Sequence, residues 1–211
     1  MNGVYMEYSE NKLVMVSTDG RRLAFIEIEI GKIKNFSSVI IPPKILSIIS
    51  KRSGDEGLVS LSVTDKMIFI KFGSYSLSSV LLEGQFPNYR KVIPENQEKH
   101  FFVNRLELMD ALRRVTLLVE HKSYKIYIGL RSGKMVIYSE VGEKGDANEE
   151  IPCRYDGEEI DIAFNYTYIE EPFKVISSNE VCVKFSDPSK AITIFPVPES
   201  NYYHVVMPMQ S

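Results

Sequence analysis

The chain has 211 residues, 44% of them hydrophobic and 25% charged, with 25 Lys+Arg against 28 Asp+Glu for a formal net charge of −3. That profile fits one large or two small globular domains and excludes a protein that coats nucleic acid by bulk positive charge. No apolar run approaches the roughly 18 residues a membrane-spanning helix needs, and two cysteines make no disulfide framework, which leads us to expect a reducing cytoplasm.

The charge is unevenly spread. Residues 1–94 hold 12 Lys+Arg and 9 Asp+Glu, and residues 95–211 hold 13 and 19. A mildly basic first half and an acidic second half leave room for local basic surfaces.

Taken in chain order, the pattern opens with a strand hairpin, 4–8 against 12–17. Asp19-Gly20 then separates the run Leu13-Val14-Met15-Val16 from Leu23-Ala24-Phe25-Ile26, a strong short-range hairpin signal. Two arginines, Arg21 and Arg22, follow the turn at once, where a strand should begin. They are either solvated edge charges or groups that hold something. Strands are expected at 23–30 and 38–41. A helix starts at Pro42-Pro43, where proline presets φ for the first turn. It runs through Ile45, Leu46, Ile48 and Ile49 and stops before Ser53-Gly54, and further strands follow. A boundary is expected near Pro94-Glu95-Asn96, giving domains at 1–94 and 95–211. Phe101-Phe102-Val103 reads as a strand and Asn104 as the cap of a helix with Leu106, Met109, Leu112 and Val115 at helical spacing. Next come a hairpin (125–130 with 134–139), strands at 149–154 and 159–163, and a helix capped by Asn165. That helix runs to about Ile176 and carries Pro172, which should shorten or kink it. Final strands close the chain.

These elements form an internal repeat. At an offset of 122, Val4-Tyr5-Met6 falls on Ile126-Tyr127-Ile128 and Lys12 to Ser17 falls on Lys134 to Ser139. Val39-Ile40-Ile41 falls on Asp161-Ile162-Ala163, and Asp65 falls on Asp187. The second copy has a strand and helix (residues 101–115) before its hairpin, and the first copy has no equivalent. The expectation is that the first copy starts in mid-domain and that the chain is a C-terminal piece of a longer protein.

Four stretches, in order, carry a resemblance. Thr18-Asp19-Gly20-Arg21-Arg22-Leu23-Ala24 resembles the Thr-Asp-Gly-x-Arg-Leu-Ala motif of bacterial β sliding clamps, the processivity subunit of DNA polymerase III. Gly84-Gln85-Phe86-Pro87-Asn88-Tyr89 is similar to their Gly-x-Phe-Pro-x-Tyr segment. Ala163 to Tyr168 is similar to their Phe-Asn-x-x-Tyr motif. His204 to Gln210 is similar to their Val-Val-Met-Pro-Met ending.

The resemblance implies an α+β architecture of tandem clamp-fold domains, with antiparallel sheets outside and helices on the inner face of a ring around duplex DNA. This chain would supply most of the middle domain and all of the last. It implies a non-catalytic role without cofactor or metal, a full-length homodimer, and partners that include duplex DNA, the polymerase III catalytic subunit and the clamp loader. Partner proteins would insert short peptides into a cleft between the two domains. Carried over by motif, that cleft holds Thr18, Gly20, Arg22, Leu23, Pro87, Lys91 and Val92, with Asn165, Tyr168, Val205, Val206, Met207, Pro208 and Met209. Its floor would be apolar and adaptable through methionine, and Arg22, Asn165 and Tyr168 would orient the peptide. Lys91 stands where many members have arginine, Met1 where they have leucine, and Gln210-Ser211 where they have Arg-Leu. If helices line the ring, Lys44, Lys51 and Arg52 on one and Arg105, Arg113 and Arg114 on another would face phosphates without sequence preference.

Other chemistry has little support in the residues. His100, His121 and His204 lie far apart, without metal-ligand spacing, and no glycine-rich phosphate loop follows a strand. The rival readings are a stand-alone clamp-like paralogue and an enzyme using Cys153 or a carboxylate pair such as Glu149-Glu150 or Glu158-Glu159.

Overall fold

The computed structural model describes residues 3–33, 36–54, 56–119, 124–142 and 145–210. Its contacts divide into two units, Met1–Gly20 with Ala24–Arg90, and Arg21–Leu23 with Lys91–Ser211.

The first unit opens with β1 (Val4–Ser9) and β2 (Lys12–Thr18), paired antiparallel. Glu10 and Asn11 turn the chain with φ of 52° and 64°, the positive pair that matches the twist of a two-residue hairpin. β3 (Arg22–Glu29) and β4 (Val39–Ile41) complete the order β4-β1-β2-β3. Helix α1 (Pro43–Arg52) begins at the expected prolines, and β5 (Val59–Val63), β6 (Met67–Phe72) and β7 (Tyr75–Val80) form a separate meander. Met6, Ile41, Ile45, Ile68, Ile70, Phe72 and Leu81 make its core.

The opposite face of β1 and β2 is covered too. Phe86 stacks on Tyr5 at 5.0 Å between ring centroids, and the Tyr89 hydroxyl donates to Glu7 Oε1 at 2.7 Å. Burial alone would raise the Glu7 pKa. Hydrogen bonds from Tyr89 and Tyr5 and the charge of Arg90 outweigh it and hold the carboxyl below its ordinary value.

In the second unit β8 (Lys99–Asn104) runs into α2 (Arg105–Val115). The Asn104 side chain accepts from the amides of Leu106 (3.0 Å) and Glu107 (3.1 Å), so the expected cap is formed. The buried stripe of α2 is Leu108, Ala111, Leu112 and Val115, whereas Leu106 is 53% exposed. Of the expected series, Leu112 and Val115 are buried and Met109 packs against the core while Leu106 does not, and the i, i+3, i+4, i+7 set starting at Leu108 is the full buried stripe. β9 (Lys125–Arg131), β10 (Lys134–Tyr138), β11 (Asn148–Pro152) and β12 (Ile160–Asn165) form a sheet in the order β11-β10-β9-β12. Helix α3 (Tyr166–Val175) follows, with Pro172 buried inside it and the helix ending within one turn of that residue. β13 (Glu180–Phe185), β14 (Ile192–Pro196) and β15 (Tyr202–Val206) complete the order β15-β14-β13-β8.

The pairing registers correct the repeat. Met6 opposes Val39, and its counterpart Ile128 opposes Ile162. Val39 thus corresponds to Ile162, at an offset of 123 and not 122. α1 and α3 keep that offset from end to end, Pro43 on Tyr166 and Arg52 on Val175. One extra residue between the hairpin and this strand explains it. A slip of one would otherwise turn every side chain to the wrong face. Among the described residues, the first unit has no counterpart of β8 and α2. β5 is left at an edge with Leu58 90% and Val59 54% exposed, and Ile26 and Ile28 are only partly covered. No described helix is long and apolar enough to cross a membrane.

Candidate functional site

The arginines after the Asp19-Gly20 turn end up in the second unit. Gly20 takes φ +86°, and its amide is held by Thr18 Oγ1 at 3.1 Å; the left-handed conformation is the one glycine adopts without cost. Past the turn, the Arg21 carbonyl accepts from the Met207 amide at 2.9 Å, which ties this short segment to the tail beyond β15. Leu23 is buried.

Arg22 lies against α3. Its guanidinium sits 4.7 Å above the centre of the Tyr168 ring, a cation–π geometry. Its Nη1 meets Glu171 Oε2 at 2.5 Å. Tyr168 and Glu171 are three apart on the helix and so share a face. Asn165 sets where that face starts, because its side-chain oxygen accepts from the Thr167 amide at 2.9 Å and hydroxyl at 2.7 Å. Beyond β15 the tail is fixed again where the Met209 amide donates to the Ala163 carbonyl at 2.8 Å. Val205 and Val206 are buried in strand pairing with β14. Met207 is 45% exposed, and Pro208 and Met209 are half-buried.

Behind this surface is His204. Its Nε2 lies 2.8 Å from the Tyr202 hydroxyl. Burial first, and the positive charge of Arg22 second, push its pKa down to about 4, so it is neutral at physiological pH. Burial raises the Tyr202 hydroxyl.

Of the residues marked in the sequence, Arg22, Leu23, Asn165, Tyr168 and Val205 to Met209 lie in the second unit, where Arg22 meets Tyr168 and the amides of Met207 and Met209 are held by the carbonyls of Arg21 and Ala163. Lys91 and Val92, also in that unit, are exposed. Thr18, Gly20 and Pro87 belong to the first unit, where Pro87 lines a groove of about 370 Å³ with Tyr5, Ser38 and Phe86. Among the basic residues, Lys44, Lys51, Arg52 and Arg113 are exposed. Arg105 turns inward instead, donating to the carbonyls of Ser178 and Phe173 at 2.9 Å each. Arg114 forks onto both oxygens of Glu149, at 2.8 and 2.9 Å. Sequence reasoning missed Glu171 and the role of His204. The first could have been found from its i+3 spacing to Tyr168 on a helix capped at Asn165.

The groups offered by the rival catalytic reading are poorly placed for it. Burial raises the Cys153 thiol to about 12 and the Cys182 thiol to about 11, leaving almost no thiolate near neutrality. Among the described residues no three His, Cys, Asp or Glu side chains group to hold a metal. Met1 and His121 lie outside the described residues.

Comparison with known proteins identifies the family. The family model described as DNA polymerase III beta subunit, central domain, matches residues 1–88, and that described as DNA polymerase III beta subunit, C-terminal domain, matches residues 90–210. The chain belongs to the DNA polymerase III beta subunit family. The beta sliding clamp of Treponema pallidum is 48% identical over 216 residues, covering all of this chain and 58% of that protein. The Escherichia coli beta sliding clamp is 27% identical over 211 residues, again 58% of its length. The chain thus spans rather less than two thirds of these relatives. Among solved structures, a sliding clamp from Pseudomonas aeruginosa bound to griselimycin superposes with a TM-score of 0.93 at 28% identity, over all of this chain and 57% of that one. One from Bartonella birtlesii, also bound to griselimycin, gives 0.91 at 26%, over all of this chain and 58% of that one. The fold is therefore the sliding-clamp fold, with antiparallel sheets and, among the described residues, three α-helices.

Proposed function

We propose that this chain is the peptide-holding part of a sliding clamp, a non-catalytic processivity factor of bacterial DNA replication working in the cytoplasm. The observation that carries the reading is the joining of Arg22, Tyr168 and the Met207–Met209 tail at one surface of the second unit. The apolar tail offers area, the methionines adapt to different side chains, and the guanidinium and capped helix supply fixed polar points. Partners are the polymerase III catalytic subunit, the clamp loader and other proteins that carry a short extended segment with apolar anchors. Thr18, Gly20, Pro87, Lys91 and Val92 are assigned to the same role by the resemblance.

Clamps work by topology and tethering. In the whole homodimeric ring the duplex is enclosed, and a polymerase held by its peptide stays at high effective concentration near the primer end. Lys44, Lys51, Arg52 and Arg113 are the exposed cations assigned to phosphate contact, and that contact is diffuse and weakened by salt. That the Pseudomonas aeruginosa clamp is bound to griselimycin supports a ligand-accepting surface on this fold.

The test is titration of the chain with a clamp-binding peptide from the polymerase and, separately, with griselimycin. Saturable binding that Arg22→Ala weakens is expected. A folded chain that binds neither at millimolar concentration overturns the proposal.

A further inference from the structure

Residues 84–91 lead out of the first unit without joining a sheet, and one 3-10 turn, Tyr89–Lys91, is their only regular structure. The Leu82 amide is tied to the Ile40 carbonyl at 2.9 Å; beyond it the stretch is fastened by side chains. Phe86 stacks on Tyr5, and Tyr89, only 5% exposed, packs with its ring centre 6.2 Å from that of Phe25. The polar end of this fastening is Glu7 on β1. Its Oε2 accepts from the Tyr5 hydroxyl at 2.8 Å, and its Oε1 accepts from the Tyr89 hydroxyl at 2.7 Å and pairs with Arg90. The Arg90 guanidinium also lies 4.9 Å over the Tyr89 ring. Only 16% of the Glu7 side chain is exposed. Burying a carboxylate this far is costly unless its oxygens are hydrogen-bonded, and these donors occupy both of them. Tyr89 and Arg90 belong to the stretch itself, so the carboxylate binds it to β1. Pro87 lies between the anchors at Phe86 and Tyr89 and lines a groove with Tyr5, so it is held from both sides. The hairpin does not itself require a carboxylate at this position. Glu7 opposes Val14 in β1 and β2, and at the hairpin offset of 122 Gly129 opposes Val136 in the same register, with no side chain at all.

We propose that Glu7 is a positioning residue for peptide binding. It touches no peptide; it holds Phe86 to Arg90 against β1, so that Pro87 presents a fixed apolar wall to the incoming segment. This rests on the peptide-binding reading above and on the place of Pro87 in it. A wall already fixed in the free protein loses no further freedom when a partner arrives, and affinity gains by that difference. With the carboxylate gone, the stretch keeps its aromatic contacts but loses the polar anchor next to Pro87, and binding must then order it.

The experiment measures the affinity of the polymerase-derived clamp-binding peptide by calorimetry for the unaltered chain, Glu7→Ala, Tyr89→Phe, Pro87→Ala and the double variants that join each of the first two to Pro87→Ala. Each is measured where urea unfolding shows it to be fully folded. Glu7→Ala should weaken binding by about fivefold, and Tyr89→Phe, which keeps the buried ring and removes one hydroxyl, by about threefold. Because Glu7 acts through Pro87, each double variant should bind no more weakly than Pro87→Ala alone, whereas general structural damage would add to the Pro87 effect. Should Glu7→Ala fail to fold, Tyr89→Phe and its double variant carry the same test. If Glu7→Ala and Tyr89→Phe stay within about twofold of the unaltered chain, or if their losses add to that of Pro87→Ala, the positioning role is wrong while peptide binding stands. A peptide that binds as well to Pro87→Ala as to the unaltered chain also overturns it, since there is then no wall to hold. If no folded version binds the peptide, the peptide-binding reading falls and takes the role of Glu7 with it.

Discussion

Acidification to pH 5 should selectively destabilise the second unit through His204. In the folded chain its pKa is pushed down to about 4, because the half-buried ring is desolvated and feels the positive charge of Arg22. In the unfolded chain it titrates near its ordinary value of about 6.5. Between those values the unfolded chain binds a proton that the folded chain refuses. Stability therefore falls as pH drops from about 6.5 towards 4, and below that it levels off. For the 2.5-unit gap, the loss between pH 7 and pH 5 comes to about 2 kcal/mol. Carboxylates such as Glu7, whose folded pKa is lowered, also lose stability as pH falls, so the histidine must be isolated by difference. The assay is urea denaturation of the unaltered chain and of His204→Gln at pH 7 and pH 5. The glutamine keeps a polar partner for Tyr202 but does not titrate. The unaltered chain should lose about 2 kcal/mol more than the variant over that interval. Equal losses would refute the reasoning, as would an imidazole resonance that titrates above pH 6 in the folded chain.

Two further outcomes follow from the same geometry. Asn165→Ala removes the acceptor for the Thr167 amide and hydroxyl. It should destabilise the second unit by about 1 kcal/mol in thermal or urea unfolding and weaken peptide binding, since Tyr168 and Glu171 lose their registered helix start. The thiols of Cys153 and Cys182, buried and pushed up in pKa, should resist iodoacetamide in the native chain at pH 7.5 and react rapidly once it is unfolded in urea, as counted by mass spectrometry.

The legible features were those that depend on neighbours in sequence. The prolines at 42 and 43, the asparagine caps at 104 and 165 and the hairpins act within a few residues, and each element starts where those residues say. The helix stripe of α2 was also present in the sequence, as Leu108, Ala111, Leu112 and Val115, but the looser series from Leu106 shares Leu112 and Val115 with it and so competes with it. The slip of one residue at β4 was hidden because Val39, Ile40 and Ile41 are all apolar, so either alignment looked acceptable. The Arg22–Glu171 pair joins residues 149 apart, and no local rule connects them. The family resemblance drew Arg22 and Tyr168 to the same site, but it carried no word of the acid that pairs with Arg22.

The repeat supplies an internal control on what the site is made for. At the corrected offset of 123, Asn165, Tyr168 and Glu171 correspond to Pro42, Ile45 and Ile48. The first copy uses those positions as a proline start, a buried core residue and a surface aliphatic. The two helices have the same length but bury different positions, Ile45 in the first and Ile169, Pro172 and Phe173 in the second, and only the second carries a capping amide, an aromatic ring and a carboxylate at these three positions. The carboxylate of Glu171 and the ring of Tyr168 are not needed to form such a helix, because α1 forms with aliphatic residues at those two positions. Their presence on the helix that receives Arg22, beside the tail pinned by Met207 and Met209, is best explained by binding. Exchanging Tyr168 and Glu171 for their first-copy counterparts, with the Asn165 cap retained, should weaken peptide binding more than it weakens folding, and an unchanged affinity would refute the binding role.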